Sequence, residues 1–123
     1  MNPPVHAPRI GMLTSGPTDS IADVAGVRVG HSTLDRGAIQ TGVTVLYPHA
    51  GNLYCDKVPA AATVINGFGK SIGLVQIEEL GVLETPIALT NTFGVAAVAQ
   101  AQVRATIAAN PQVGRDCRPS IHW

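Results

Sequence analysis

The chain has little charge, few aromatics and almost no cysteine. Charged residues fill 13% of its 123 positions and aromatic residues 4%, and eight Lys plus Arg balance eight Asp plus Glu, for a formal net charge of zero. Without a basic stripe or interleaved aromatics there is nothing to neutralise phosphates or stack bases, so no nucleic-acid partner is expected. No run approaches the ~20 apolar residues of a membrane span. The opening MNPPVHAPRIGM has no apolar h-region, so neither a membrane partner nor a secretory signal is expected, and a cytoplasmic location is the default. Cys55 and Cys117 form no C-x-x-C pair and have no metal-type spacing with the four histidines. Two free thiols in a reducing compartment are expected, with no metal site.

What the chain does have is apolar mass: 46% hydrophobic residues in a length that suits one domain. Little charge is left to keep an exposed apolar patch soluble, so partner surfaces or self-association are expected. Residues 1–18 hold four prolines, show no period and read as an irregular arm. GVRVGHSTL alternates as a strand, DRGAIQ supplies turn residues and TGVTVLYP is a second β-rich run, so 27–47 reads as a hairpin. AATVING, 61–67, reads as a third strand and TPIALTNT, 85–92, as a fourth. Lys70–Leu80 reads as a short buried helix stopped by Gly81. Val95–Asn110 is the clearest helix, alanine-rich and free of internal Gly or Pro, with Val95, Val98, Ala99 and Ala105 as its packing face. The fold class expected is mixed α and β (α/β or α+β) with a mostly buried sheet.

The glycine-rich stretch NGFGKSIG raises two chemical readings, and spacing weakens both. A phosphate loop needs a glycine five residues before Gly69-Lys70, and that position is Val64. Gly67, Gly69 and Gly73 are one residue too far apart for the dinucleotide fingerprint. Gly69-Lys70-Ser71-Ile72-Gly73 fits the nucleophile elbow letter for letter, but only His122 follows Ser71 and the chain is too short for that hydrolase fold. His31 and His49 read as structural, and Glu78 and Glu79 as solvated helix residues. Asn66 and Asn91 sit at the carboxyl ends of expected strands, where ligands gather in α/β sheets, although a turn or cap role is the leading reading for both. No complete catalytic set emerges from the residues alone.

The run GNLYCDKVPAAATVINGFGKSIGLVQIEELGVLETPIALTNT, with DSIADVAGVRVGHSTL before it, resembles the opening of the L-aminopeptidase/D-amino-acid esterase-amidase family. These are the DmpA-type serine peptidases, which include β-peptidyl aminopeptidases. The likeness spans about Asp19 to Gly114. It implies a partial α/β/β/α sandwich and a precursor that cleaves itself before a serine. That serine becomes the nucleophile, activated by its own α-amino group. The implied substrates are small peptides, amides or esters, cut at the N-terminal residue. No cofactor is implied, and the complete enzyme is expected to be a homo-oligomer of αβ units.

The departures shape the expectation as much as the match. The domain expected is 19–114, followed by a divergent tail, 115–123, where DCRPSIHW reads like a truncation or a shifted frame. None of Ser15, Ser20, Ser32, Ser71 or Ser120 occupies the nucleophile position of the family, so no catalytic residue is assigned and the chain alone is expected to be inactive. Asn66, Gly69, Lys70 and Asn91 are expected to line the substrate pocket. With most of the sandwich missing, exposed β surface and marginal stability or aggregation are expected. The alternative is an interaction or structural module without catalysis.

Overall fold

The computed structural model describes residues 9–114. Its strands and helices are β1 (Arg28–Arg36), β2 (Ile39–Tyr47), β3 (Val58–Pro59), α1 (Leu74–Leu80), β4 (Val82–Leu83), β5 (Ile87–Thr90) and α2 (Val95–Ala109), with 3₁₀ turns at Ile21–Asp23 and Thr92–Gly94. The sheet order is β1-β2-β5, antiparallel throughout, and β3 pairs with β4 as a separate two-stranded ribbon. The mixed α and β class expected from sequence is present. Residues 1–8 of the arm and the tail 115–123, with His122 and Ser120, lie outside the described residues.

The hairpin follows from its turn. Gly37 has φ +59° and Ala38 is not in the left-handed region, so Gly37-Ala38 makes a two-residue loop of the II′ kind, whose twist matches that of the flanking strands. Arg28 pairs with Tyr47 at one end and Arg36 with Ile39 at the other. At Gly42 only glycine fits, because a Cβ there would come within 2.6 Å of the Ser32 carbonyl oxygen. Helix α1 starts at Gly73 and stops at Gly81, whose φ of +65° and N–H bond to the Ile77 carbonyl close the last turn.

Two strand expectations change. AATVING is not a strand; its residues form an exposed, irregular segment, with Val64 64% and Ile65 97% exposed. No strand among the described residues lies beside it to take up its ladder bonds, and β-branched composition without a pairing partner does not make a strand. The pairing falls just before it, where Val58-Pro59 meets Leu83-Val82 and Ala60 N–H continues to the Gly81 carbonyl. Helix α2 does pack through Val95, Val98 and Ala99, but Gln102 and Thr106 continue the half-buried face and Ala105 is exposed. Gln102 turns inward because its amide donates to the Pro86 carbonyl.

Leu53, 5% exposed, is the only buried apolar side chain among the described residues. The accessible surface is 10359 Å², against roughly 6,200 Å² for a compact monomer of this mass. The sheet shows where the excess lies. On the face toward α2, Ala88 and Thr90 are half-buried, and Gly94 comes so close to Thr90 that a Cβ would meet its hydroxyl. On the other face Ile87 and the 64% exposed Leu89 have no cover.

Cys55 is disulfide-bonded, which corrects the expectation of two free thiols. Cys117, the other cysteine of the sequence, lies outside the described residues. The thiol argument for a reducing compartment therefore falls. Among the described residues no helix is long and apolar enough to cross a membrane.

Candidate functional site

The sequence-derived pocket residues fall in two places. Asn66, Gly69 and Lys70 share the loop between β3 and α1. There the Asn66 Oδ1 accepts from the Phe68 N–H at 2.9 Å, a side-chain turn of the kind asparagine favours. The Lys70 ammonium sits 5.3 Å from the centre of the Phe68 ring and donates to the Phe68 carbonyl at 3.3 Å. Gly69 has open space around it. Asn91 is elsewhere, at the end of β5. Its Oδ1 accepts from the Gly94 N–H at 2.9 Å and its Nδ2 donates to the Thr41 hydroxyl, so it caps the turn into α2 and ties that turn to β2. No hydrogen bond joins Asn91 to the Asn66–Lys70 loop among the described residues. All four side chains or backbones are exposed.

Ser71 is exposed too, and among the described residues no hydrogen bond links a serine hydroxyl to an imidazole or a carboxylate. The two histidines in the described chain have structural partners. The His31 Nδ1 lies 2.9 Å from the Thr44 hydroxyl across the hairpin. His49 takes the Gly51 N–H on Nδ1 at 3.0 Å, so its Nε2 carries the proton it donates to the Asp56 carbonyl at 2.8 Å. Glu78 and Glu79 are exposed on α1. No group of three His, Cys, Asp or Glu residues is placed to hold a metal ion among the described residues. An open depression of about 420 Å³ is lined by Arg28, Val29, Gly30, Val45 and Tyr47, with the Arg28 guanidinium over the Tyr47 ring at 5.4 Å.

Sequence reasoning missed two polar junctions. Asn110, 8% exposed, reads in sequence as a helix end before proline. In the fold its Oδ1 accepts from the Asn52 amide, its Nδ2 donates to the Thr106 carbonyl at 2.8 Å, and the Cys55 sulfur lies 3.6 Å away. That sulfur carries no proton to donate, being disulfide-bonded, so the last contact is packing. The second junction is Lys57–Glu84, 3.0 Å apart beside the β3–β4 ribbon, with the Lys57 ammonium also 4.6 Å from the Tyr54 ring centre. Partial burial pushes the Glu84 carboxyl up, but hydrogen bonds from Gln76 and Lys57 and the charge of Lys57 outweigh it and hold the group below its ordinary value. Neither pair has a sequence signal, since the partners are far apart in the chain.

The profile of Peptidase family S58 matches residues 19–121. The chain belongs to peptidase family S58. The S58 match starts where the resemblance to the DmpA-type family starts and runs seven residues past Gly114. Among relatives, a β-peptidyl aminopeptidase BapA of Sphingosinicella xenopeptidilytica is 37% identical over 108 residues, 80% of this chain and 27% of that protein. The PH0078 protein from Pyrococcus horikoshii OT3 superposes with a TM-score of 0.82 at 40% identity, over 87% of this chain and 33% of the other. The L-aminopeptidase D-Ala-esterase/amidase of Ochrobactrum anthropi, described as a prototype for the serine aminopeptidases and a variant of the Ntn hydrolase fold, superposes at 0.70 with 30% identity. It covers 94% of this chain and 33% of the other. The chain thus spans between a quarter and a third of these relatives, and carries part of the S58 sandwich.

Proposed function

We propose that this chain supplies one portion of a self-processing serine aminopeptidase that releases N-terminal residues from small peptides, amides or esters. The observation that carries the reading is the bare sheet face. Ile87 and Leu89 are exposed on the side away from α2, where a second sheet would cover them in a four-layer sandwich. Membership of family S58 supports the reaction class. The nucleophile is a serine outside this chain, because no serine here matches the family's self-cleavage position. Asn66, Gly69, Lys70 and Asn91 are proposed as pocket lining. The complete protein assembles as a homo-oligomer of processed units.

The test is a graft. The 108-residue stretch of the Sphingosinicella enzyme aligned with this chain is replaced by the corresponding residues here. Self-cleavage and turnover of a β-alanyl or D-alanyl amide are expected to survive, while residues 1–123 alone give no turnover. Turnover by the isolated chain that is lost in Ser71→Ala would overturn the reading and restore the nucleophile elbow. In the graft, Asn66→Ala is expected to lower kcat/KM; an unchanged value removes Asn66 from the pocket.

A further inference from the structure

We infer that the outer edge of β1 is a self-pairing interface, on which β1 of a second copy of this chain adds antiparallel. Among the described residues the nine residues of β1 pair only with β2, which leaves one side of the strand without a partner strand there. Its outward groups can be identified. In a hairpin with a two-residue loop the closing pair, Arg36 and Ile39, exchanges both backbone hydrogen bonds, and bonded pairs then alternate along the ladder. Thr33 opposite Gly42 is therefore a non-bonded pair. An independent contact agrees: the Gly42 carbonyl points to β5, where it accepts from the Thr90 hydroxyl at 3.1 Å. The N–H and C=O groups of Val29, His31, Thr33 and Asp35 thus face the open edge.

The two edges of the sheet differ in protection. The outer strand β5 has four residues, with Pro86 just before it and the Asn91 cap just after. Edge β1 has no proline and no bulge within its span, and the stretch between Arg28 and Asp35 carries no acidic or basic charge beyond His31. Such an edge is a template for another strand.

Charge and symmetry choose the occupant and the register. A two-fold axis normal to the sheet keeps each residue on its own face, so only registers that oppose odd-numbered residues to odd-numbered residues satisfy the outward groups. One of these sets Arg28 against Arg36 twice, and like charges directly opposite are unfavourable. Another sets His31 against His31 and Val27 against Asp35. The third sets Thr33 against Thr33 and each His31 against Asp35 of the other copy, pairing imidazole with carboxylate twice. About six backbone hydrogen bonds form in that register, two for each bonded pair. Among the described residues the His31 ring has its one hydrogen bond at Nδ1, with the Thr44 hydroxyl, which leaves Nε2 for the contact.

Sedimentation of the full 123-residue chain over a concentration series tests this, with amide exchange read at both concentration extremes. The expected result is a monomer–dimer equilibrium, with concentration-dependent protection at His31, Thr33 and Asp35 and none at Ser32 or Leu34 beyond that of the hairpin. Thr33→Pro removes an outward N–H only and is expected to weaken association at least about tenfold. Asp35→Lys weakens it as well, and His31→Asp combined with Asp35→Lys restores it. A monomer at every concentration overturns the inference. So does association with no edge-specific protection, which would assign self-association to the bare face around Leu89, or to another strand, instead.

Discussion

The hairpin and the loop before α1 start from similar sequence and end differently. Both carry β-branched residues next to glycines. In the hairpin, Val43 and Val45 lie in a ladder whose partner is a two-residue turn away. In the loop, Thr63, Val64 and Ile65 remain unpaired and exposed. Strand propensity is a preference for a pleated, half-covered surface, so it takes effect only where a neighbour supplies one. The glycines diverge in the same way. Gly42 is wedged against Ser32, while Gly69 meets nothing within 4 Å.

Substituting those two glycines alike should break the comparison most strongly. Gly42→Val is expected to cost about 2–3 kcal/mol by forcing β1 and β2 apart, read as a lower urea midpoint. Gly69→Val should stay within about 0.5 kcal/mol. Equal losses would mean that the loop is as tightly packed as the hairpin.

Asparagines sharpen the contrast next. Asn110→Ala removes a buried amide that bonds both Asn52 and the Thr106 carbonyl and should cost about 1–3 kcal/mol in a thermal melt. Asn66→Ala removes only an exposed turn bond and should shift the same melt little. Smaller again is Gly37→Val in the hairpin turn. A left-handed backbone at φ +59° disfavours a branched side chain by about 1–2 kcal/mol, and amide exchange along β1 should accelerate.

The smallest effect concerns the ribbon between the two regions. The Glu84 carboxyl is held below its ordinary value of 4.5 in the folded chain, so its contribution is full above that pH and fades as pH falls through the lower folded-state value. Partial exposure of the pair, 35% and 27%, limits the contribution to under about 1 kcal/mol. Glu84→Gln should flatten the acid limb of the stability curve without moving its neutral plateau. An unchanged acid limb would show that Lys57 and Glu84 do not couple to folding.

The hairpin, the Gly81 stop and the extent of α2 were legible because each is set within a few residues: a turn glycine, a left-handed cap, a long run of helix formers ending at proline. The family was legible for a different reason, the preserved order of motifs from Asp19 onward. The places of Asn66 and Asn91 were legible as turn and cap, but their separation in space was not. The Asn110 junction, the Lys57–Glu84 pair and the inward turn of Gln102 were hidden, since each needs a partner 16 to 58 residues away, from Gln102–Pro86 at the near end to Asn52–Asn110 at the far end.

The sequence by itself determined where the chain turns, where helices stop and which peptidase family it joins, because backbone sterics and local capping act between near neighbours. Only the tertiary structure decided that β5 joins β2, that small Ala88 and Thr90 meet α2 while Ile87 and Leu89 stay bare, and that 61–67 is not a strand. Those outcomes depend on which surfaces meet across the chain, and burial energy is assigned only when they do.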